Sequence, residues 1–236
     1  MREGNAMPEK DAVTRLAASL GRNLTERQAD LLTTYLSLLV HWRRKINLVG
    51  PSDWPTMLST LVIDSWHLAD FLSGPAAGTI PGDTPLCLLD FGAGAGLPGI
   101  PLRLFDERGE YMLLEARAKR AIFLGEAVDR LGLPATRIME GRVEETVPTI
   151  LAAHPDAFFL CLSRAFAPWP QFLTICHELV HAPKAVVTMT GEVAGQAPDL
   201  PAGWRVAAQA DYPVAGKKRY LTLFTPTQQP EEQCSR

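Results

Sequence analysis

The sequence predicts an α/β fold: an open, mostly parallel sheet with helices on both faces, preceded by a helical segment. Three observations carry this. From Leu86 onward, apolar runs of strand length alternate with segments of helical periodicity. The run Leu86-Cys87-Leu88-Leu89-Asp90-Phe91 passes directly into Gly92-Ala93-Gly94-Ala95-Gly96-Leu97-Pro98-Gly99-Ile100-Pro101, which reads as strand, tight turn and helix start. The last two strand-like segments are separated only by Asp211-Tyr212-Pro213-Val214-Ala215-Gly216, too short for a crossover helix, so they are expected to form an antiparallel hairpin.

Taken in order, residues 1 to about 10 and 227 to 236 are polar and read as frayed ends. Leu32, Tyr35, Leu36 and Leu39 recur at helical spacing between Thr25 and Arg44, with Thr25 as N-cap. That helix ends on His41-Trp42-Arg43-Arg44-Lys45, where basic side chains suit the helix dipole; a solvated terminus is favoured over a phosphate contact on this evidence alone. A second helix is expected from Asp53 or Trp54 to Leu72, with Pro55 in its first turn where the missing N–H costs nothing. Ser73 to Pro85, rich in Gly, Pro and Thr, links this cap to the main domain. Strands are expected near 86–91, 111–115, 136–140, 157–163, 184–190, 203–210 and 218–225, with clear helices at Ala118 to Leu131 and Pro170 to His181. The resulting division is a helical cap and linker over 1–80, the α/β domain over 81–228 and a tail over 229–236.

Composition narrows the function. The 236 residues are 47% hydrophobic, enough for one sizeable core, and the net charge of −3 excludes a generally basic nucleic-acid binder, so any RNA contact must come from local patches. No continuous apolar run approaches membrane-spanning length and the first residues lack a signal-peptide core; a cytoplasmic, membrane-free monomer is expected. Cys87, Cys161, Cys176 and Cys234 form no C-x-x-C pair, and Cys87 and Cys161 read as buried thiols.

The glycine loop holds the chemistry. Gly92, Gly94 and Gly96 lack a Cβ, so the backbone can take positive φ and approach a ligand closely. Gly94-Ala95-Gly96-Leu97-Pro98-Gly99 matches G-x-G-x-x-G, a weak dinucleotide fingerprint by itself. Asp90 before the first glycine argues against a pyrophosphate, which it would repel, and for a ligand carrying an ammonium. The D-x-G-x-G-x-G order resembles motif I of the class I S-adenosylmethionine-dependent methyltransferases, whose fold is a Rossmann-like, seven-stranded, mostly parallel sheet with a terminal antiparallel hairpin.

Other positions fit that reading. Glu115 ends the second strand, where an acid can accept hydrogen bonds from ribose hydroxyls in methyltransferases and NAD enzymes alike. Arg117, Lys119 and Arg120 follow, as a solvated helix face or an RNA contact. Met139 to Glu145 would supply an adenine pocket with Val143 on the ring; Glu144 and Glu145 equally suit a helix N-terminus. Arg164 closes the fourth strand and needs a carboxylate partner, the cofactor's or Asp90. Phe166 and Trp169 read as core, with base stacking as the alternative. His177-Glu178-Leu179-Val180-His181 matches H-E-x-x-H, but Phe172, Leu173, Cys176, Leu179 and Val180 define the buried face, Pro183 ends the helix, and no third ligand follows. No metal is expected.

With these residues in hand, the chain resembles the bacterial family that methylates N7 of a guanine in small-subunit (16S) ribosomal RNA, the glucose-inhibited division protein B family. The resemblance runs from about Leu24 to Phe224, through Asp90 to Pro101, Lys119-Arg120 with Phe123-Leu124, Arg142-Val143-Glu144-Glu145, Ser163-Arg164-Ala165-Phe166-Ala167, Lys45-Ile46-Asn47-Leu48 and Ile63-Asp64-Ser65. It implies S-adenosylmethionine as cofactor, 16S rRNA or the small ribosomal subunit as partner, and cofactor contacts at Gly92, Leu97, Glu115, Val143, Glu144 and Arg164. Asp90, Gly94 and Gly96 join them from the loop itself, and Arg164 is the one candidate for a direct catalytic role in a mechanism that otherwise positions its substrates. RNA contacts are expected from Arg43, Arg44, Lys45, Lys119, Arg120, Phe166, Lys217, Lys218 and Arg219. The chain departs from the family where Thr60-Leu61 stands for Arg-His and Thr190-Gly191 for Lys-Gly, so the cofactor half is better supported than the rRNA half. A methyltransferase of another RNA site or a small molecule, and a non-catalytic rRNA-binding or assembly protein, are the alternatives.

Overall fold

The structure, a computed structural model, describes residues 6–196 and 199–227. Cys234 and the expected tail lie outside them.

Helix α1, Lys10–Ser19, is not among the sequence expectations. Its buried stripe is only Val13 and Ala17, too sparse for a strong periodic signal, with Leu16 and Leu20 packed beside it. α2, Glu26–Trp42, begins at a full capping box: Thr25 Oγ1 accepts from the Gln28 N–H and Gln28 Oε1 accepts from the Thr25 N–H. It stops two residues before Arg44. The expected second helix forms in three pieces: α3 (Trp54–Met57), capped by the Asp53 side chain, a π turn over Leu58–Val62, and α4 (Ile63–Ser73). The π turn inserts one residue per turn and so rotates the side chains that follow it.

The sheet contains β1 (Leu86–Phe91), β2 (Glu110–Glu115), β3 (Thr136–Glu140), β4 (Phe158–Ser163), β5 (Lys184–Thr190), β6 (Trp204–Val214) and β7 (Lys217–Pro226). Their order is β3-β2-β1-β4-β5-β7-β6, parallel from β3 through β5 and antiparallel for β7 and β6. Between them run α5 (Gly99–Leu102), α6 (Ala118–Leu131), α7 (Val143–Ala153) and α8 (Trp169–Leu179). The final hairpin is tighter than expected. Its strands run on to Val214 and Lys217, and the turn is Ala215-Gly216, with φ of 47° and 77°. Two consecutive positive φ values match the twist of the strands. Pro213 sits within β6 because β6 is an edge strand, where a missing N–H breaks no ladder.

Side chains alternate across the sheet, as the two-residue period requires. Leu88, Tyr111, Leu113, Leu160, Leu162 and Val187 face a core shared with α2, α4 and α6, whereas Leu89, Phe91, Met112, Leu114, Phe159 and Cys161 face α7 and α8. The N-terminal helices thus share one apolar core with a face of the sheet. Cys87, Cys161 and Cys176 are free and buried, and burial pushes the Cys87 thiol up to about 12.

A candidate cofactor cleft at the carboxyl ends of the strands

β1 ends at Phe91 and the chain turns through Gly92, Gly94 and Gly96, with φ of 68°, 60° and 77°. All three are in the left-handed region, which only glycine enters without strain. The loop is pinned on two sides. Toward β2, the Ala93 N–H donates to the Leu114 carbonyl at 2.9 Å, and the Gly94 N–H donates to Glu115 Oε2 at 2.9 Å. Toward the N-terminal helices, the Tyr35 hydroxyl donates to the Ala95 carbonyl at 2.7 Å. Glu115 Oε1 accepts from the Arg117 N–H at 2.8 Å. Each carboxylate oxygen therefore carries one backbone donor and keeps a lone pair for a ligand hydroxyl.

Asp90 is placed differently from a ligand-facing acid. It points to the face covered by the N-terminal helices, 1% exposed, with the Tyr111 hydroxyl donating to Oδ2 at 3.2 Å. A Cβ on Gly99 would stand 2.7 Å from Asp90 Oδ2 and from Tyr111 and 2.8 Å from Leu113, so only a glycine closes this pocket. Oδ1 has no partner within the protein. Burial pushes the Asp90 carboxyl up to about 7, against the Tyr111 hydrogen bond, the Gly99 backbone and the Arg164 charge, which all favour ionisation.

Arg164 does find a carboxylate, but it is Asp64 on α4 and not Asp90. Its Nη2 lies 3.2 Å from Asp64 Oδ2, and Nη1 donates to the Leu61 carbonyl at 3.3 Å in the π turn. Arg219 of β7 pairs with the same Asp64 oxygen, and the Tyr212 hydroxyl of β6 donates to Oδ1 at 3.0 Å. These four residues line one side of a cleft of about 710 Å3 that also touches Trp169, Thr190 and Glu192. Just past Arg164, Ala165 takes φ 60° and turns Phe166 over the glycine loop, where a Cβ on Gly92 would sit 2.8 Å from its ring. Phe166 is 37% exposed and makes edge contacts with Phe91 and Phe172, so it is part wall and part surface. Trp169 is buried and stacks on Phe224.

Val143 is buried at the start of α7 beneath the end of β3, and Glu144 is exposed in the first turn of that helix. The Gly141 N–H donates to the Glu115 carbonyl at 3.2 Å, which draws this segment to the same end of the sheet as the glycine loop.

The basic residues separate into two groups. Arg43, Arg44 and Lys45 line a hollow of about 440 Å3 with Asn47 and Gly50. Arg120 joins it by donating to the Asn47 carbonyl at 3.1 Å, and its Nη1 lies 3.6 Å from the Cβ position of Gly94. Lys119 is exposed beside it, and Lys45 lies over the Trp42 ring. In the second group, on the hairpin, Lys217 is exposed, Lys218 pairs with Asp211 at 3.1 Å and Arg219 is committed to Asp64. α8 ends at Leu179, so His177 lies on it and His181 beyond it; no cluster of metal-ligating side chains is found among the described residues.

Asp64, Tyr35 and Tyr212 are not marked as site residues by the sequence. The available signal for Asp64 is an acid directly after the apolar stretch Leu61-Val62-Ile63 and two residues before Trp66, since a charge in a helix buried on most sides must be paired. Tyr35 reads as another apolar position, and nothing local marks Tyr212.

The strand order, the glycine loop after β1 and the acid at the end of β2 define a class I S-adenosylmethionine-dependent methyltransferase fold. Solved structures agree on the fold. TomG, an O-methyltransferase from Streptomyces achromogenes solved with SAM, has a TM-score of 0.55 at 14% identity, covering 94% of this chain and 100% of that one. The N-terminal domain of human METTL16, solved with SAH, has a TM-score of 0.52 at 15% identity, covering 95% and 98%. The family model GidB, described as rRNA small subunit methyltransferase G, matches residues 28–199. Proteins named ribosomal RNA small subunit methyltransferase G are 36% identical in Oleidesulfovibrio alaskensis over 230 residues, 94% of this chain and 96% of that protein, and 37% identical in Nitratidesulfovibrio vulgaris over 224 residues, 94% and 97%. This chain belongs to the GidB family.

Proposed function

We propose that this chain methylates N7 of a guanine in 16S ribosomal RNA, in the bacterial cytoplasm, with S-adenosylmethionine as cofactor. The observation that carries the reading is the Gly94–Glu115 hydrogen bond, which joins the glycine loop to an acid with spare acceptor capacity in a member of this family. The residues fit the cofactor: Gly94 leaves open space where a Cβ would stand, with nothing nearer than 3.6 Å, and each Glu115 carboxylate oxygen retains a free lone pair.

Gly92, Gly94, Gly96 and Leu97 would hold the methionine part, with Asp90 supporting the loop from behind and Arg164 nearby. Glu115 would hold the ribose hydroxyls, with Val143 and Glu144 at the adenine. When bound, the cofactor supplies an electrophilic methyl group on a sulfonium sulfur. Guanine N7 has a lone pair and no proton, so the protein needs no general base. Its residues instead orient the base and exclude water, which shortens the approach of nucleophile to methyl. Phe166 offers a half-exposed ring over Gly92 on which a base can stack. Arg43, Arg44, Lys45, Lys119 and Arg120 supply positive charge beside the loop for backbone phosphates, and Lys217 supplies it on the hairpin.

The test is titration calorimetry with S-adenosylhomocysteine followed by transfer of labelled methyl to 30S particles lacking the modification. Binding with label at N7 of a 16S guanine is the expected result. Binding without label in 16S rRNA would move the search to another substrate, with Thr60, Leu61 and Thr190 as the first residues to examine.

A further inference from the structure

Asp64 occupies a place that ordinarily belongs to an apolar side chain. Ile63, Ser65 and Trp66 beside it are buried, and Asp64 itself is 1% exposed. A carboxylate so enclosed has to be paired, yet one cation would be enough. It has two, Arg164 and Arg219, plus the Tyr212 hydroxyl, and the last two come from 155 and 148 residues away in sequence. Both arginines meet the same oxygen, Oδ2, and both line the cleft.

The consequence lies one residue further along the chain. Arg164 is held at one end by Asp64 and by the Leu61 carbonyl. The next residue, Ala165, is left-handed, a conformation that persists in a non-glycine residue only when its surroundings impose it. Phe166 follows, its ring against Gly92 and its edges against Phe91 and Phe172. The turn is thus clamped by an ion pair on one side and by aromatic packing on the other.

We infer that Asp64 is a positioning residue for methyl transfer: it fixes Arg164, and through it the Ala165-Phe166 turn over Gly92, without itself touching cofactor or substrate. This rests on the methyltransferase function proposed above.

Asp64→Asn keeps the side-chain shape and removes the charge. It is expected to lower kcat on unmodified 30S particles about 30-fold or more, with KM for particles and the S-adenosylhomocysteine Kd each within about 3-fold of wild type. Asp64→Asn combined with Arg164→Gln should be no slower than Arg164→Gln alone, because the two act as one unit. Losses that multiply, or a kcat for Asp64→Asn within about 2-fold of wild type, overturn the inference. Should Asp64→Asn fail to fold, Tyr212→Phe removes only the bond that holds Oδ1, and about a 5-fold lower kcat at unchanged affinity is expected; an unchanged kcat overturns the inference. A crystal structure of Asp64→Asn, or of Tyr212→Phe in that case, reads the same question without activity: Phe166 should leave its place against Gly92, and its retention there overturns the inference. If the wild-type protein binds S-adenosylhomocysteine but labels no 30S particle, the proposed substrate fails, and the crystal structure alone decides on Asp64.

Discussion

The hydroxyl of Tyr35 and the carbonyl of Ala95 meet at 2.7 Å across 60 residues of sequence, and both groups are buried. A helix near the N-terminus thereby holds the loop on which the site depends. Tyr35→Phe leaves the Ala95 carbonyl buried without its donor, which costs about 1–2 kcal/mol. For a domain of this size the melting temperature should drop roughly 3–6 °C. Thermal unfolding by circular dichroism checks it, and an unchanged midpoint would show that the hydrogen bond contributes nothing.

Glycines in the loop differ in what they tolerate. Gly94 has open space around a would-be Cβ, with nothing nearer than 3.6 Å, so Gly94→Ala meets only the left-handed penalty of about 1–2 kcal/mol. Gly99→Ala instead drives a Cβ into Asp90, Tyr111 and Leu113 at once, for a loss of roughly 3 kcal/mol. Denaturant unfolding should rank Gly99→Ala well below Gly94→Ala. Gly94→Val, larger and β-branched at φ 60°, should remain folded and lose S-adenosylhomocysteine binding, which calorimetry would register as an absent heat.

The Asp90 carboxyl sets a pH dependence whose sign follows from its environment. Its folded value is raised by burial to about 7, above the ordinary carboxylate range, so the folded state holds the proton more tightly than the unfolded chain. The stability it contributes is complete below about pH 4 and is lost as pH rises through about 7. Asp90→Asn removes that titration. The difference in unfolding free energy between variant and wild type should move toward the variant by up to about 4 kcal/mol between pH 4 and pH 8. A difference that stays flat across this range would refute the assignment.

Charge beside the glycine loop should be felt through salt. Arg44→Ala with Lys119→Ala is expected to reduce the slope of log affinity for 30S particles against log salt by about 0.7–0.9 for each phosphate that is no longer neutralised. S-adenosylhomocysteine affinity should be unaffected. Filter binding across a salt series measures the slope, and an unchanged slope would remove these two residues from the RNA surface.

Much of this is legible in the chain because it depends on near neighbours. Strand β1, the glycine loop and the acid ending β2 follow from apolar runs and from glycines whose freedom of φ is a local property. α6 spans Ala118–Leu131 as its periodicity and terminal Gly132 require. Helix α1 escapes a periodicity reading because two buried residues do not make a period, and the final turn reads as too long because a proline looks like a breaker until its strand is known to be an edge. The sequence by itself thus determined the fold class, the loop and the acid at the end of β2. Only the tertiary structure decided that Asp90 lies behind the loop, that Tyr35 ties a helix to it, and that Asp64 and not Asp90 takes Arg164. Each of those is a pairing of buried polar groups far apart in the chain, and burial and direction exist only once the chain has folded.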